Sequence, residues 1–338
     1  MNHNAVGLDI AKNVFHFYSL GSDHQVIKKK LKRIELLSFF ANYPPSTIGI
    51  EACGGAHHWA RELIKLGHQV VLLNARFVKS FVVGNKNDFN DAQAIYDAVS
   101  RPNKRVVAVK TIEQQDIQLV HKVRQGYVDQ RTALVNQIRG LLSERGIVLP
   151  QGIHQVRAHL AGILEAADNG LTALSRAVFA DQYEKLKQLD AEIKALDQRI
   201  HRLCQDNELA GRFLAVPGVG PITATMAASD LGNGKGYESG RDYAASLGIV
   251  PKQHSSGDKL VYLGISKRGN RYLRTLLIHG ARAVLKYCAG KSDQLSTWLQ
   301  ALIARRGFNK AAVALANKNA RILWAMASKG VDYQVQPT

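Results

Sequence analysis

Cysteine is scarce in this chain. Cys53, Cys204 and Cys288 are the only three in 338 residues, and their scatter leaves no pair at the short spacing a zinc site uses. Such usage argues for a reducing compartment. Long hydrophobic runs are missing too. No uninterrupted apolar segment could span a bilayer, and Met1 is followed by polar Asn2-His3-Asn4 rather than by an apolar leader. The expectation is a cytoplasmic protein with no membrane partner. Acidic residues are in deficit: 27 Asp and Glu stand against 45 Lys and Arg, a formal charge of +18. That balance points to a polyanionic partner, nucleic acid before a membrane surface or an acidic protein. Hydrophobic residues, at 46%, suffice for a sizeable core, and the length calls for two or three domains.

Against this basic background, four acids stand out in the first ninety residues. Asn4-Ala5-Val6-Gly7-Leu8-Asp9 is a short apolar run ending on a carboxylate, and Thr47-Ile48-Gly49-Ile50-Glu51 repeats the pattern. Both read as strands that end in an acid. Lys86-Asn87-Asp88-Phe89-Asn90-Asp91-Ala92 opens a helical pattern in which Asp88 and Asp91, three apart, face the same way. Four such carboxylates suit hard cations: Mg²⁺ takes oxygen ligands, and two ions can clamp both sides of a phosphoryl transfer. Taken singly, Asp88 could merely cap its helix and Asp9 could end a strand at a solvated edge.

The elements around the acids follow one order. Val14–Leu20 reads as a second strand, and after the Gly21-Ser22-Asp23 turn Gln25-Val26-Ile27 returns antiparallel to it. Helices over 35–42 and 56–66 alternate with the Glu51 strand and with Gln69-Val70-Val71-Leu72-Leu73, an apolar run typical of a strand buried on both faces. Three strands, helix, strand, helix, strand, helix is the ribonuclease-H-like arrangement of an α/β mixed sheet. Together with Gly7-Leu8-Asp9-Ile10-Ala11-Lys12, Glu51-Ala52-Cys53-Gly54-Gly55 and Lys86-Asn87-Asp88-Phe89-Asn90-Asp91-Ala92, it resembles the DEDD-type transposases of bacterial insertion sequences, whose first domain looks like the Holliday-junction resolvase RuvC. The resemblance makes Asp9, Glu51, Asp88 and Asp91 a tetrad for divalent metal, two Mg²⁺ ions. Members often carry Lys-Thr/Ser-Asp at the third acid, where this chain has Asn87. Lys12 and Lys86 flank the acids as candidate phosphate contacts. His57 and His58, adjacent on one helix, point different ways and read as structural or substrate-contacting.

From Ile112 the chain turns helical, with an apolar stripe through Leu119, Val123, Val128, Leu134, Ile138 and Leu141. Arg124, Arg131 and Arg139, with Arg145, Lys122 and His121, are either a solvated face or contacts to a nucleic-acid backbone. Gly146 and Pro150-Gln151-Gly152 mark a hinge. Leu186, Leu189, Ile193, Leu196, Ile200 and Leu203 then repeat at alternating spacings of three and four, a heptad seam that predicts a coiled coil. Its partner helix is either the 113–145 segment or another subunit. Three regions result: a RuvC-like domain over 1–111, a helical coiled-coil region over 112–205, and a mostly helical C-terminal domain over 206–330.

In that last region Val216-Pro217-Gly218-Val219-Gly220-Pro221 lies between two helical patterns and resembles a helix-hairpin-helix turn. There Gly218 and Gly220 would bare backbone N–H groups to a phosphate. Further on, hydroxyls, glycines and cations crowd together from Lys252 to Arg274. By composition this is a basic DNA-binding loop, suited also to a nucleophile approaching a phosphodiester. The block Pro251…Ser256-Gly257…Gly264-Ile265-Ser266-Lys267-Arg268-Gly269-Asn270…Leu273-Arg274 resembles the C-terminal domain of the same transposases. In that family a serine of the Ser-Gly element is the covalent nucleophile, which implies Ser256, with Ser255 as runner-up. Lys259, Lys267, Arg268, Arg271 and Arg274 become candidate backbone clamps.

The resemblance implies a recombinase that cuts and rejoins donor and target DNA through a serine–phosphodiester intermediate. It also implies a structured guide RNA encoded by the element. The remoteness of Ser256 from the acids in the chain suggests, separately, a homodimer or homotetramer in which the coiled-coil arm carries one chain's serine to another's acids. The alternatives are a structure-specific endonuclease hydrolysing DNA with the acids alone, and a non-enzymatic nucleic-acid-binding protein. An actin-like ATPase lacks its expected second phosphate loop.

Overall fold

Alternating β-branched and aromatic residues build a sheet whose two faces have different tasks. The structure, a computed structural model, describes residues 5–85, 87–257 and 259–334. It divides into two units, Met1–Thr111 and Ile112–Thr338. In the first, β1 (Ala5–Ile10), β2 (Val14–Leu20) and β3 (Val26–Lys32) form an antiparallel meander. After α1 (Leu36–Ala41), β4 (Thr47–Glu51) lies parallel to β1, and after α2 (Ala56–Lys65), β5 (Gln69–Leu73) lies parallel to β4. Helices α3 (Ala75–Lys79) and α4 (Asp88–Val99) precede β6 (Val106–Val107), which closes the sheet in the order β3-β2-β1-β4-β5-β6. This is the expected ribonuclease-H-like mixed sheet.

Strand residues alternate between the faces. Val6, Leu8, Phe15, Phe17, Ile48 and Ile50 are buried in one core with Leu36, Phe40, Trp59 and Leu63 of α1 and α2. The residues between them point to the opposite face, where Ala5, Val71 and Leu73 pack with Ala94, Ile95, Ala98 and Val99 of α4. Helix α4 seats very closely. A Cβ on Gly7 would lie 2.1 Å from the Ala92 carbonyl oxygen, and one on Gly49 would lie 2.8 Å from Val99 Cβ. Glycine at both positions is therefore a packing requirement of the α4 contact.

The third strand is longer than the sequence suggested. It runs through Lys28, Lys29, Lys30 and Lys32, every residue in register with β2. Lysine disfavours strands in general, but this one is the sheet's outer edge, where exposed lysines are tolerated and block strand addition.

The second unit starts with α5 (Ile112–Ser143), α6 (Ile153–Glu165) and α7 (Ala173–Asp206). Leu186 and Leu189 of the heptad seam are buried with Leu134, Val135, Ile138 and Leu142, so within this chain α5 supplies a partner for the seam. The three arginines expected to face a nucleic acid are engaged inside the unit. Arg124 pairs with Asp197 at 2.5 Å, Arg131 with Asp190 at 3.1 Å, and Arg139 donates to the Leu149 carbonyl at 3.2 Å. Reading α5 alone could not reveal the two ion pairs, because their acids lie on α7, 73 and 59 residues on. His121 is also internal: it bonds Thr225 Oγ1 at 2.9 Å and the Tyr272 hydroxyl at 3.2 Å. Burial, and then the Arg124 charge, lower its pKa to about 4.

Short α8 (Glu208–Phe213), buried α9 (Pro221–Leu231) and α10 (Gly240–Ser246) follow, then a hairpin of β7 (Pro251–Gln253) and β8 (Tyr262–Ile265). Helices α11 (Arg271–Lys286), α12 (Gln294–Arg306) and α13 (Phe308–Lys329) complete one core with Phe213, Tyr243, Leu247, Leu277 and Leu315. No helix among the described residues is long and apolar enough to cross a membrane.

The α4 contact can be tested by thermal melting. Gly7→Ala forces backbone apart and is expected to cost about 1–3 kcal/mol. Gly126→Ala, in α5 with nothing within 4 Å, should leave the melting temperature equal or higher. Equal melting of wild type and Gly7→Ala would contradict the close seat.

Candidate active site

Strand parity puts the first two acids side by side. Leu8 of β1 is in register with Ile50 of β4, so Asp9 and Glu51, one residue further on, end neighbouring parallel strands on the face α4 covers. The carboxyl ends of parallel strands are where open α/β sheets bind ligands. Helix α4 brings the other pair in its first turn. Asn87, not Asp88, caps this helix, its side-chain oxygen accepting from the Phe89 N–H at 2.9 Å. Asp88 is thereby left out of the capping role, and both aspartates sit where the helix dipole favours negative charge.

These four carboxylates feel one another. Burial first, then the charges of Asp91, Asp88 and Glu51, push the Asp9 pKa up to about 6. Burial and Asp91 also raise that of Glu51. The Cys53 thiol beside them is raised as well, by burial and then by Glu51 and Asp9, which keeps it an unreactive thiol. Among the described residues, no three such side chains stand close enough to hold an ion between them. Four carboxylates are a donor set that suits a hard cation such as Mg²⁺.

Flanking candidates separate. Lys12 is exposed just past β1, while Lys86 lies outside the described residues. His57 Nδ1 accepts the Lys110 N–H at 3.2 Å and the His58 ring packs on Trp59 at 4.9 Å, both structural contacts.

In the second unit Ser256 sits exposed at the tip of the β7–β8 hairpin. It bridges to Lys259, and Gly257 beside it has a φ of +57° that only glycine adopts readily. Ser255 Oγ accepts from Gln253 Nε2 at 3.0 Å; the Ser256 hydroxyl makes no hydrogen bond among the described residues. Lys259, Lys267, Arg268 and Arg271 are exposed. Arg274 is not: it is buried and donates to the Leu247 carbonyl at 2.9 Å. Much of the Ser266-Lys267-Arg268-Gly269-Asn270 stretch is a structural latch. A Cβ on Gly269 would meet the Ser246 carbonyl at 1.6 Å and one on Gly248 the Arg268 carbonyl at 2.2 Å, while Asn270 caps α11. Gly218 likewise serves packing, since Cβ atoms on it and on Gly280 would each strike the other's backbone. Gly220 caps α9, whose first residue, Pro221, has no N–H to offer a phosphate.

Comparison with known proteins decides the family. A transposase model of the DEDD IS110 type matches residues 6–146, and the model described as "Transposase IS116/IS110/IS902 family" matches residues 210–295. The chain is 45% identical over 336 residues to a "Probable family 20 transposase" of Pseudomonas aeruginosa, covering 99% of each. It is 43% identical over 330 residues to the "Transposase for insertion sequence element IS1111A" of Coxiella burnetii, covering 97% of this chain and 91% of that one. With the "Transposase for insertion sequence element IS1328" of Yersinia enterocolitica it shares 38% over 333 residues, 98% and 99% covered. The chain belongs to the IS110 family of transposases. Membership of this family accords with DNA-modifying enzymatic activity and suggests metal-dependent catalysis.

One residue of this transposase site was missed from sequence. His16 of β2 is in register with Asp9, is 6% exposed, and holds Nε2 3.7 Å from Asp88 Oδ2 while its ring abuts Phe89. Its Nδ1 is buried with no hydrogen-bond partner among the described residues. The signal was available in the tight β1–β2 turn, which fixes the register that places His16 opposite Asp9.

The Asp9 shift has a sign that melting can read without any metal. Its pKa is raised on folding, so its stabilising contribution is present below about pH 4 and lost as pH rises through about 6. In EDTA, Asp9→Asn should melt with wild type near pH 4 and above it at pH 8, by roughly 1–2 kcal/mol after solvent screening. Mg²⁺ at pH 8 should narrow the gap by stabilising wild type. A difference that did not change with pH would contradict the raised pKa of Asp9.

Proposed function

We propose that this chain cuts and rejoins the DNA strands of an insertion sequence, with Ser256 as nucleophile and the four acids as its metal-binding group. The observation that carries the reading is the placement of Asp9 and Glu51 at neighbouring strand ends on the face covered by α4, whose first turn bears Asp88 and Asp91, in a chain that matches this transposase family along its length. Ser256 Oγ attacks a backbone phosphorus, forming an O–P bond to the protein. The ester bond from that phosphorus to the neighbouring nucleotide breaks, and the serine proton ends on the departing oxygen as a free hydroxyl. In the return step a strand hydroxyl attacks the phosphoserine, the Oγ–P bond breaks and the serine regains its proton. Both steps exchange one phosphodiester for another and need no outside energy source. Asp9, Glu51, Asp88 and Asp91 would hold Mg²⁺, two ions, which when bound neutralise the phosphate and stabilise the developing oxyanions.

Exposed Lys259, Lys267, Arg268 and Arg271 near the serine hairpin are suited to gripping the phosphate backbone, as is Lys12 near the acids. The +18 charge supports a second polyanion as well, a structured guide RNA that selects donor and target by pairing. Joining two DNA partners calls for a homodimer or homotetramer, so that more than one serine acts in one assembly.

Denaturing gels of labelled DNA incubated with full-length protein, the element's RNA and Mg²⁺ test this. Wild type should leave a protein–DNA adduct, Ser256→Ala should form none, and Ser255→Ala should retain it. Asp9→Asn should abolish cutting. Undiminished cutting by Ser256→Ala, with free hydrolysed ends, would instead mark an endonuclease that uses the acids alone.

A further inference from the structure

The lysines of β3 form an extension of the acidic site that the sequence concealed. Partners across a sheet share a face, and the register runs Asp9 to His16 to Lys30 across β1, β2 and β3. The neighbouring rows carry Tyr18 with Lys28 and Val14 with Lys32. Lys28, Lys30 and Lys32 therefore stand on the side of the sheet that carries Asp9 and α4. Direct contacts agree: Lys28 Nζ lies 5.7 Å from the Tyr18 ring centroid and 5.9 Å from that of Phe89, the residue next to Asp88. Lys29 goes the other way, over Phe39 of α1 at 4.9 Å. With strands spaced about 4.8 Å apart, Lys30 sits about 10 Å from Asp9 along the row.

All three lysines are exposed, and none makes an ion pair among the described residues; the only acid bonded nearby is Glu35, which accepts the Lys32 backbone N–H at 2.9 Å. One lysine would suffice to guard an edge strand. Three on the same face, leading by way of a buried histidine to four carboxylates, make a gradient from positive to negative along one surface. A phosphodiester chain is repelled by the bare acids and needs cations beside them to approach.

We infer that the Lys28–Lys30–Lys32 face of β3 is a track for a single DNA strand, holding the phosphates that flank the one delivered to the acids. The inference rests on the proposed strand-cutting function and adds which surface carries the substrate into the site. Contiguity with the acids selects the strand undergoing cleavage as occupant, in preference to a guide RNA that is only read. The contacts are to backbone, so they are indifferent to sequence.

Binding of a fluorescein-labelled single-stranded DNA 20-mer to the full chain in EDTA, across a salt series, tests it. Each lost phosphate contact lowers the slope of log K against log salt by about 0.7, so K28Q/K30Q/K32Q should lose about 2 from the slope and bind roughly tenfold or more weakly at 0.15 M salt. K29Q, on the opposite face, should match wild type within about twofold. K28R/K30R/K32R should restore the slope. If the triple glutamine variant aggregates for want of its edge charges, K30Q alone should still lower the slope by about 0.7. An unchanged slope, an equal loss in K29Q, or a loss seen only with an RNA 20-mer would each overturn the assignment. Strand cutting is scored separately: wild type that binds with this lysine dependence yet leaves no adduct in Mg²⁺ would refute the proposed chemistry and spare the track.

Discussion

Repulsion among four carboxylates, two at strand ends and two in the first turn of α4, is the constraint around which the first unit is built. Like charges disperse unless the backbone gives them no choice. Here the backbone does so in two ways. Parallel pairing of β1 and β4 puts Asp9 and Glu51 at adjoining strand ends, and the absence of a side chain at Gly7 lets α4 descend until its first turn faces them. The cost is visible in Asp9, raised to about 6 by burial and by its three neighbours. A site that holds a proton so readily is one a divalent cation would relieve, and hydrophobic packing on both faces of the sheet supplies the stability to maintain it.

The second unit handles charge in a different way. Its arginines and acids are spent on each other: Arg124 on Asp197, and Arg131 and Arg157 on Asp190, tying α5, α6 and α7 together. Ion pairs of this kind fix register more than they add stability. Near the Ser256 hairpin Lys259, Lys267, Arg268 and Arg271 stay exposed. Part of the large positive charge is thus internal structure, and part lies on the surface, at this hairpin and along β3 among other places.

Much of this was legible in the sequence, and the exceptions have physical reasons. The acids could be read because each ends a strand or opens a helix, both local signals. The succession of strands and helices followed from the alternation of apolar runs with helical patterns. Less legible was what distant partners set. Arg124 and Arg131 looked like a nucleic-acid face because their aspartates lie on another helix. Arg274 looked like a clamp because the Leu247 carbonyl it bonds is twenty-seven residues away. The lysines of β3 were not read as a strand at all, since lysine argues locally against one, and only pairing with β2 overrides that preference. His16 lay hidden in an aromatic strand until the hairpin register placed it opposite Asp9.

Asp9, Glu51, Asp88 and Asp91 are proposed to close upon divalent cations. Anomalous diffraction from crystals of the full chain soaked in Mn²⁺ would show this. Manganese peaks are expected between these four side chains, with carboxylate oxygens drawn to ligation distance and no peaks in an Asp9→Asn crystal. Manganese bound elsewhere, with the four carboxylates still standing apart, would contradict it.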